Sequence, residues 1–410
     1  GSAVVVTEKA YGEWGMSAAW YVLAMTITFL VLAFVAPRLR AALVKTVPEF
    51  FTRRYGGSSG MLTAVIMILP LVGLTAIQMI ASAVVLSVMT GLEYQTAAIL
   101  VCVVVTVYSV LGGLWSVTLT DVVQWGLIVV GLMVAVPFAL DAAGGWDRVV
   151  ATVPPAKLSM TEGIGTGTII SLVVMYIASF AVGQEAVQRY YAAKDGRAAK
   201  LGSLYAGIVY LVFACVPAIL GVIAYSMVQQ GVMDATLIEA HGTRYVLPVL
   251  AANVMPSWLV GIVFAALISA TMSSADSDLL AAGSIFSNDI YARVFRRNAS
   301  DGELLLVTRI TMVAVAILAL GVALTNTQNM IAILMFSFTL RAGGSFFPYV
   351  LGHYWKRASL PAALASIILG STTVILVEQD IVPCFNLDAI IPGLAVSLIA
   401  FVTATWLWPR

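Results

Sequence analysis

Long apolar runs with almost no charge limit what this chain can fold into. Several run 18 residues or more without a charge, enough to cross a hydrocarbon core of about 30 Å as helix. Only 10% of the residues are charged and 61% are hydrophobic, whereas soluble domains carry roughly 25% charged residues. Such a chain cannot cover itself with a polar surface, so a cytosolic enzyme, a secreted disulfide scaffold and a nucleic-acid binder are excluded. Period-2 alternation, the mark of a transmembrane barrel, is absent. The sequence specifies an all-α, polytopic helical membrane protein whose natural partner is a lipid bilayer.

Apolar runs between breakers give eleven complete spans, at roughly 17–36, 61–90, 96–114, 119–140, 165–186, 201–228, 257–291, 303–325, 328–355, 360–378 and 389–408. They form one transmembrane domain over 1–410. The 61–90 and 257–291 runs exceed the roughly 20 residues of a straight span and predict tilt, extension past the membrane or a break. Lys and Arg set the orientation. One side holds Arg38, Arg40, Lys45, Arg53, Arg54, Arg189, Lys194, Arg197, Lys200, Arg293, Arg296, Arg297, Arg309, Lys356, Arg357 and Arg410, against Lys9, Arg148, Lys157 and Arg244 on the other. Sixteen against four, alternating correctly through all spans, makes the rich side the cytoplasm and places the C-terminus there, with the plasma (inner) membrane as the location. The chain starts outside with neither a signal peptide nor a span, so further helices are expected upstream of Gly1. Cys102, Cys215 and Cys384 are odd in number and widely spaced, against a disulfide framework or a CxxC metal site. His241 and His353 read as loop or helix-end residues, and Trp20, Trp258 and Trp406 as interface belts.

Charges inside spans are costly and mark function. They are Asp121, Glu185, Asp276, Asp278 and Arg341. The densest cluster is Ala270-Thr271-Met272-Ser273-Ser274-Ala275-Asp276-Ser277-Asp278. Helical spacing puts Ser273, Asp276 and Ser277 on one face, with Ala270 one turn before Ser273 and Ser274. Hydroxyl, carboxylate and freed carbonyl oxygens are what a hard cation needs to replace its water; the competing reading is helix packing with serines bonded back to their own carbonyls. Asp121 follows Leu111-Gly112-Gly113-Leu114, a short connection that predicts a hairpin, and serves either as an N-cap together with Thr120 or as an ion-facing carboxylate. Gly183 can break the 165–186 span. Gln184 and Gln188 beyond it suit a polar solute, while Glu185 and Arg189 suit an i,i+4 pair. Arg341 lies too deep to snorkel and serves as internal partner for Asp276 or Asp278, or as a clamp for a solute carboxylate. Gln78 is a further polar candidate.

These segments together resemble the sodium/solute symporter family, which includes bacterial sugar, proline, pantothenate and sialic-acid carriers. The resemblance runs along nearly the whole chain. It rests on Ala36-Pro37-Arg38-Leu39-Arg40 with Thr46-Val47-Pro48-Glu49-Phe50 through Gly56, on Tyr108 to Leu114 leading to Thr120-Asp121-Val122-Val123-Gln124, on Gln188-Arg189 with Ala192-Ala193-Lys194-Asp195, and on Ala270 to Ser277 running on to Phe286-Ser287-Asn288-Asp289-Ile290-Tyr291. It implies a LeuT-type fold of two inverted five-helix repeats with broken helices and mid-membrane sites. It also implies that the chain holds only part of the first broken helix. The family's main sodium site maps onto the Ala270 carbonyl and the Ser273 and Ser274 hydroxyls. A second sodium site, present in some members, maps onto Asp121, Ser273, Asp276 and Ser277. Asp276 replaces a more usual hydroxyl there, which favours a proton or second cation or is neutralised by Arg341, itself a departure.

The expected activity is sodium-coupled import of a small polar organic solute by alternating access, with Na+ as the coupling ion and Gln78, Gln184, Gln188 and Arg341 as solute contacts. A proton-coupled carrier and a solute-binding sensory module are the alternatives. No HExxH, nucleophile–base pair or cofactor motif marks an enzyme.

Overall fold

A computed structural model describes residues 2–325, 330–383 and 387–410, with the side chains of 113–120 outside the description. Cys384, the Thr120 side chain and the start of the 328–355 span therefore lie outside the described residues. All regular structure among the described residues is helical. The order is α1 (Ser2–Tyr11), a 3-10 turn Gly15–Ala19 leading into α2 (Trp20–Ala41), α3 (Val47–Arg54), α4 (Gly57–Thr90), α5 (Tyr94–Ala142), α6 (Trp146–Thr152), α7 (Pro155–Leu158), α8 (Gly165–Val182) and α9 (Gln184–Ala192). There follow α10 (Gly196–Phe213), α11 (Val216–Gln229), α12 (Thr236–His241), α13 (Val246–Val254), α14 (Ser257–Ile285) with a π-helical continuation Phe286–Phe295, α15 (Asp301–Thr325), α16 (Met330–Gly352), α17 (Leu360–Glu378) and α18 (Ile390–Leu407).

Eleven segments among the described residues are long and apolar enough to cross a membrane, and they coincide with the eleven apolar runs. The chain is an integral membrane protein. Side chains such as Phe34, Leu111 and Ile399 are 74%, 74% and 66% exposed, which is the expected lipid-facing surface of helices whose backbone groups are satisfied internally. Trp258 and Trp406 are exposed likewise, whereas Trp20 is half-buried.

Local chemistry sets the helix ends. Gly91 adopts a left-handed φ of 73° and its N–H closes α4 on Ser87 O at 2.8 Å, a conformation that glycine adopts without Cβ strain. Asp195 caps α10 by accepting Ala198 N–H at 2.7 Å, and Thr46 caps α3 by accepting Glu49 N–H at 3.1 Å. The 201–228 run is interrupted between α10 and α11, because Pro217 has no N–H to give to Phe213 O. The 257–291 run stays unbroken and gains length through its π-helical end. α5 counts 49 residues, about 74 Å if straight. Yet Tyr94 donates to Ala323 O at 3.0 Å and Gln230 donates to Ala143 O at 3.3 Å, and both partners lie opposite the basic loops. The arms 94–112 and 121–142 therefore run antiparallel, as the hairpin expectation requires.

Packing brings the polar spans together. α14 packs on α4 and α5, α2 on α8 and α10, and α16 on α4, α8 and α17. The Arg410 N–H bonds to Arg357 O at 3.0 Å, so the C-terminus lies on the side of the basic loops.

Candidate functional site

The α8–α9 break places charged and amide groups at the centre of the bundle. Gly183 is extended at φ −66°, ψ 116°. A Cβ there would stand 2.7 Å from Glu185 Oε1 and 2.8 Å from Arg341 Nη2, so the close approach of these side chains requires glycine. Glu185 turns toward α16 and pairs with Arg341 at 2.7 Å. Arg341 is 2% exposed, donates from Nε to Ser179 Oγ at 2.6 Å, and lies over the Phe338 ring at 4.8 Å. The expected partners, Asp276 or Asp278, are corrected to Glu185, because the helix break swings that carboxylate onto the guanidinium first.

A cavity of about 570 Å³ lies beside this pair and reaches Ala198 and Gly202 on the basic side. Gln78 on α4, Asp121 on α5, Glu185 and Arg189 on α9, and Ser273, Ser274, Ser277 and Asp278 on α14 line it. Tyr21, Phe29, Phe180, Phe338 and Trp125 complete the wall. These aromatics were missed in the sequence, where a ring in an apolar run has no signal that separates it from packing.

On α14 the Ser273 and Ser274 hydroxyls both donate to Ala270 O at 3.3 Å. This is the back-bonding that the packing reading expects, but it does not exclude coordination. Each hydroxyl uses its one proton and keeps its lone pairs, and Ser273 and Ser274 line the cavity, with Ala270 O within 3.3 Å of both hydroxyls. Thr271 faces away and bonds Ser82 on α4, a packing role.

Arg189 changes the second cluster. Its Nη2 stands 2.8 Å from Asp121 Oδ2 and 2.9 Å from Ser277 Oγ, and its Nη1 donates to Glu185 O at 2.6 Å. Asp121 turns Oδ2 to Arg189 and its Oδ1 has no partner among the described residues, so the carboxylate caps no helix and the N-cap reading is corrected, and so is the Glu185–Arg189 side-chain pair. Asp121, Ser273, Asp276 and Ser277 do not form an open ion site, because a guanidinium already joins Asp121 to Ser277. Asp276 is fully buried, with Oδ2 unpartnered.

Three expected solute contacts do not reach the cavity. Gln184 accepts Val47 N–H at 2.9 Å and donates to Lys45 O at 3.1 Å, since the break turns its amide toward the α2–α3 loop. Gln188 is buried over Glu185 O at 3.5 Å, and Arg341 is occupied by Glu185. Gln78 alone of the four lines the wall, with Oε1 unpartnered.

A discontinuous helix whose broken end meets a polar cavity amid apolar spans is the architecture of secondary transporters. The chain belongs to the sodium:solute symporter family, whose sequence pattern matches residues 7–370; its members are transporters, not enzymes. It is 30% identical over 407 residues to the high-affinity proline transporter PutP of Bacillus subtilis, covering 94% of this chain and 83% of that protein. It is 27% identical over 377 residues to the sodium/pantothenate symporter of Haemophilus influenzae, covering 89% of this chain and 75% of that protein. In structure it resembles a Na+-coupled sialic acid symporter with a TM-score of 0.82 at 20% identity, covering 100% of this chain and 87% of the other, which establishes the LeuT-type fold.

Proposed function

We propose that residues 1–410 act as one transmembrane domain that imports a small polar organic solute together with sodium, by alternating access. Sodium is held by the Ala270 carbonyl and the Ser273 and Ser274 hydroxyls, oxygen ligands suited to a hard cation. The observation that carries this reading is the pair of Ser273 and Ser274 hydroxyls, both bonded to the Ala270 carbonyl, on the wall of the cavity that Gln78 and Asp278 also line. Arg189 already supplies positive charge between Asp121 and Ser277, so coupling rests on one sodium. The basic side faces the cytoplasm under the positive-inside rule, and release there follows from low cytosolic sodium.

Reconstituted vesicles under an inward sodium gradient, offered labelled proline, pantothenate and sialic acid in turn, test the proposal. Accumulation of one of them with sodium is expected, and the double variant Ser273→Ala, Ser274→Ala should abolish it while still folding. Uptake by that variant at the wild-type rate would sink the sodium assignment. A second reading, proton coupling, is favoured by the buried, unpartnered Asp276 Oδ2; uptake driven by a proton gradient without sodium would establish it. Binding without accumulation would instead support a sensory role.

A further inference from the structure

A second cavity, of about 250 Å³, lies at the end of the bundle opposite the basic loops. α8 lines it with Ser171 and Met175, and α16 with Ile331, Met335 and Thr339, which at helical spacing share one face. Glu378, the last residue of α17, and Asp388, just before α18, also line it. Thr339 stands about 14 Å along α16 from Met330, so this crevice reaches well into the bundle. It shares no lining residue with the central cavity.

Packing leaves two of its features unexplained. Thr339 is 3% exposed and Ser171 5%, yet neither hydroxyl makes a hydrogen bond with any described residue. A buried hydroxyl normally finds a partner; Ser337 nearby takes Ile333 O at 2.7 Å. The second feature is charge. Glu378 is exposed and Asp388 half-buried, so both carboxylates meet water, and neither side chain forms a hydrogen bond or ion pair with a described residue. The charged neighbours of Glu378 are Asp388 and Asp380, and from Ala358 to Trp408 the sequence holds no Lys or Arg. The starts of α16 and α18 bring about half a positive charge each, while the end of α17 adds negative charge at Glu378. The balance stays negative.

Among the described residues no three acidic, His or Cys side chains come close enough to share a metal ion, and Met175, Met335, Ile331 and Ile390 make most of the wall apolar. The chemistry that fits is a positive nitrogen on an apolar body. Carboxylates at the helix ends meet the nitrogen, thioethers suit an aromatic ring, and the two deep hydroxyls meet a polar group at the far end.

We propose that this crevice binds a small organic ammonium compound, its nitrogen held by Glu378 and Asp388 and a hydroxyl at its other end by Thr339 and Ser171. The site is distinct from the one that takes the transported solute. A ligand there braces α8, one half of the helix broken at Gly183, against α16 and α18.

The test is thermal unfolding and titration of the purified full chain with tyramine, alongside tyrosol, which lacks the charge, and phloretate, which reverses it. Tyramine should bind, and the other two should bind more weakly. Glu378→Gln with Asp388→Asn should weaken tyramine about tenfold; the unfolding temperature without ligand reports that this variant folds. Thr339→Val should weaken tyramine about fivefold and leave phenethylamine, which lacks the hydroxyl, unchanged. The inference is overturned if tyramine does not bind, or if tyrosol or phloretate binds as tightly. It is overturned equally if the two-carboxylate variant binds tyramine like wild type, which would place the amine in the central cavity, or if Thr339→Val treats tyramine and phenethylamine alike. Measurement in potassium chloride keeps the result independent of the sodium assignment.

Discussion

Two polar regions of this membrane protein are built in opposite ways. Around α3, on the basic side, hydrogen bonds join one helix to another, although Arg54 Nη1 and His353 Nε2 have no partner among the described residues. Thr46 Oγ1 donates to Asp289 Oδ2 at 2.5 Å, Gln184 bonds Lys45 and Val47, Arg54 Nε donates to Gly352 O at 3.0 Å, and Tyr55 donates to Pro348 O at 2.6 Å. This clasp ties α3 to the ends of α14 and α16 and to the start of α9. On the cavity wall, Gln78 Oε1, Asp121 Oδ1 and the Tyr21 hydroxyl have no hydrogen-bond partner among the described residues, nor has Asp276 Oδ2 behind it. Buried polar groups are normally satisfied. The first region knits helices to one another; the second lines a cavity that a ligand can fill.

If that contrast is right, cutting the clasp should cost stability and spare binding. The largest effect is expected from Thr46→Val, which removes an N-cap and leaves Asp289, 1% exposed, without its hydroxyl partner. The loss should be about 2–4 kcal/mol in chemical denaturation, with sodium affinity unchanged; a weakened ion site would break the distinction. The opposite sign is expected at Asp276→Asn. Removing an unmatched buried charge should raise stability in sodium-free buffer by about 1–3 kcal/mol, and a loss there would show that Asp276 is already satisfied.

The smallest effect is a pH dependence at the clasp. His353 stacks on Phe50 with ring centroids 4.2 Å apart. Burial, then Arg38 and Arg54, push its pKa down to about 4 from an ordinary value of 6.5. The folded state therefore resists a proton that the unfolded chain accepts, so stability is lost as pH falls from about 6.5 toward 4. His353→Phe should flatten the unfolding temperature across that window; an unchanged slope would assign the effect elsewhere.

The spans, their number and the basic side were legible in the sequence, because hydropathy and charge act locally. The clustered oxygens of Ala270, Ser273 and Ser274 were legible for the same reason: one helix supplies them all. Partners across helices were not. Arg341 binds Glu185 rather than an aspartate of α14, and Gln184 serves a loop rather than a solute, because a single break at Gly183 decides which way α9 faces. Asp278 was visible as a charge inside a span, but its place on the cavity wall became visible only once the neighbouring helices were in place.

Thermal unfolding of the purified protein in sodium chloride against potassium chloride, at equal ionic strength, tests the sodium assignment most directly. A ligand that binds only the folded state adds about 2.7 kcal/mol at a hundredfold excess over Kd. The account predicts a sodium-specific rise in wild type that the Ser273→Ala, Ser274→Ala double variant loses while remaining folded in potassium. A rise that survives the double variant, or no difference between the two salts in wild type, would contradict it.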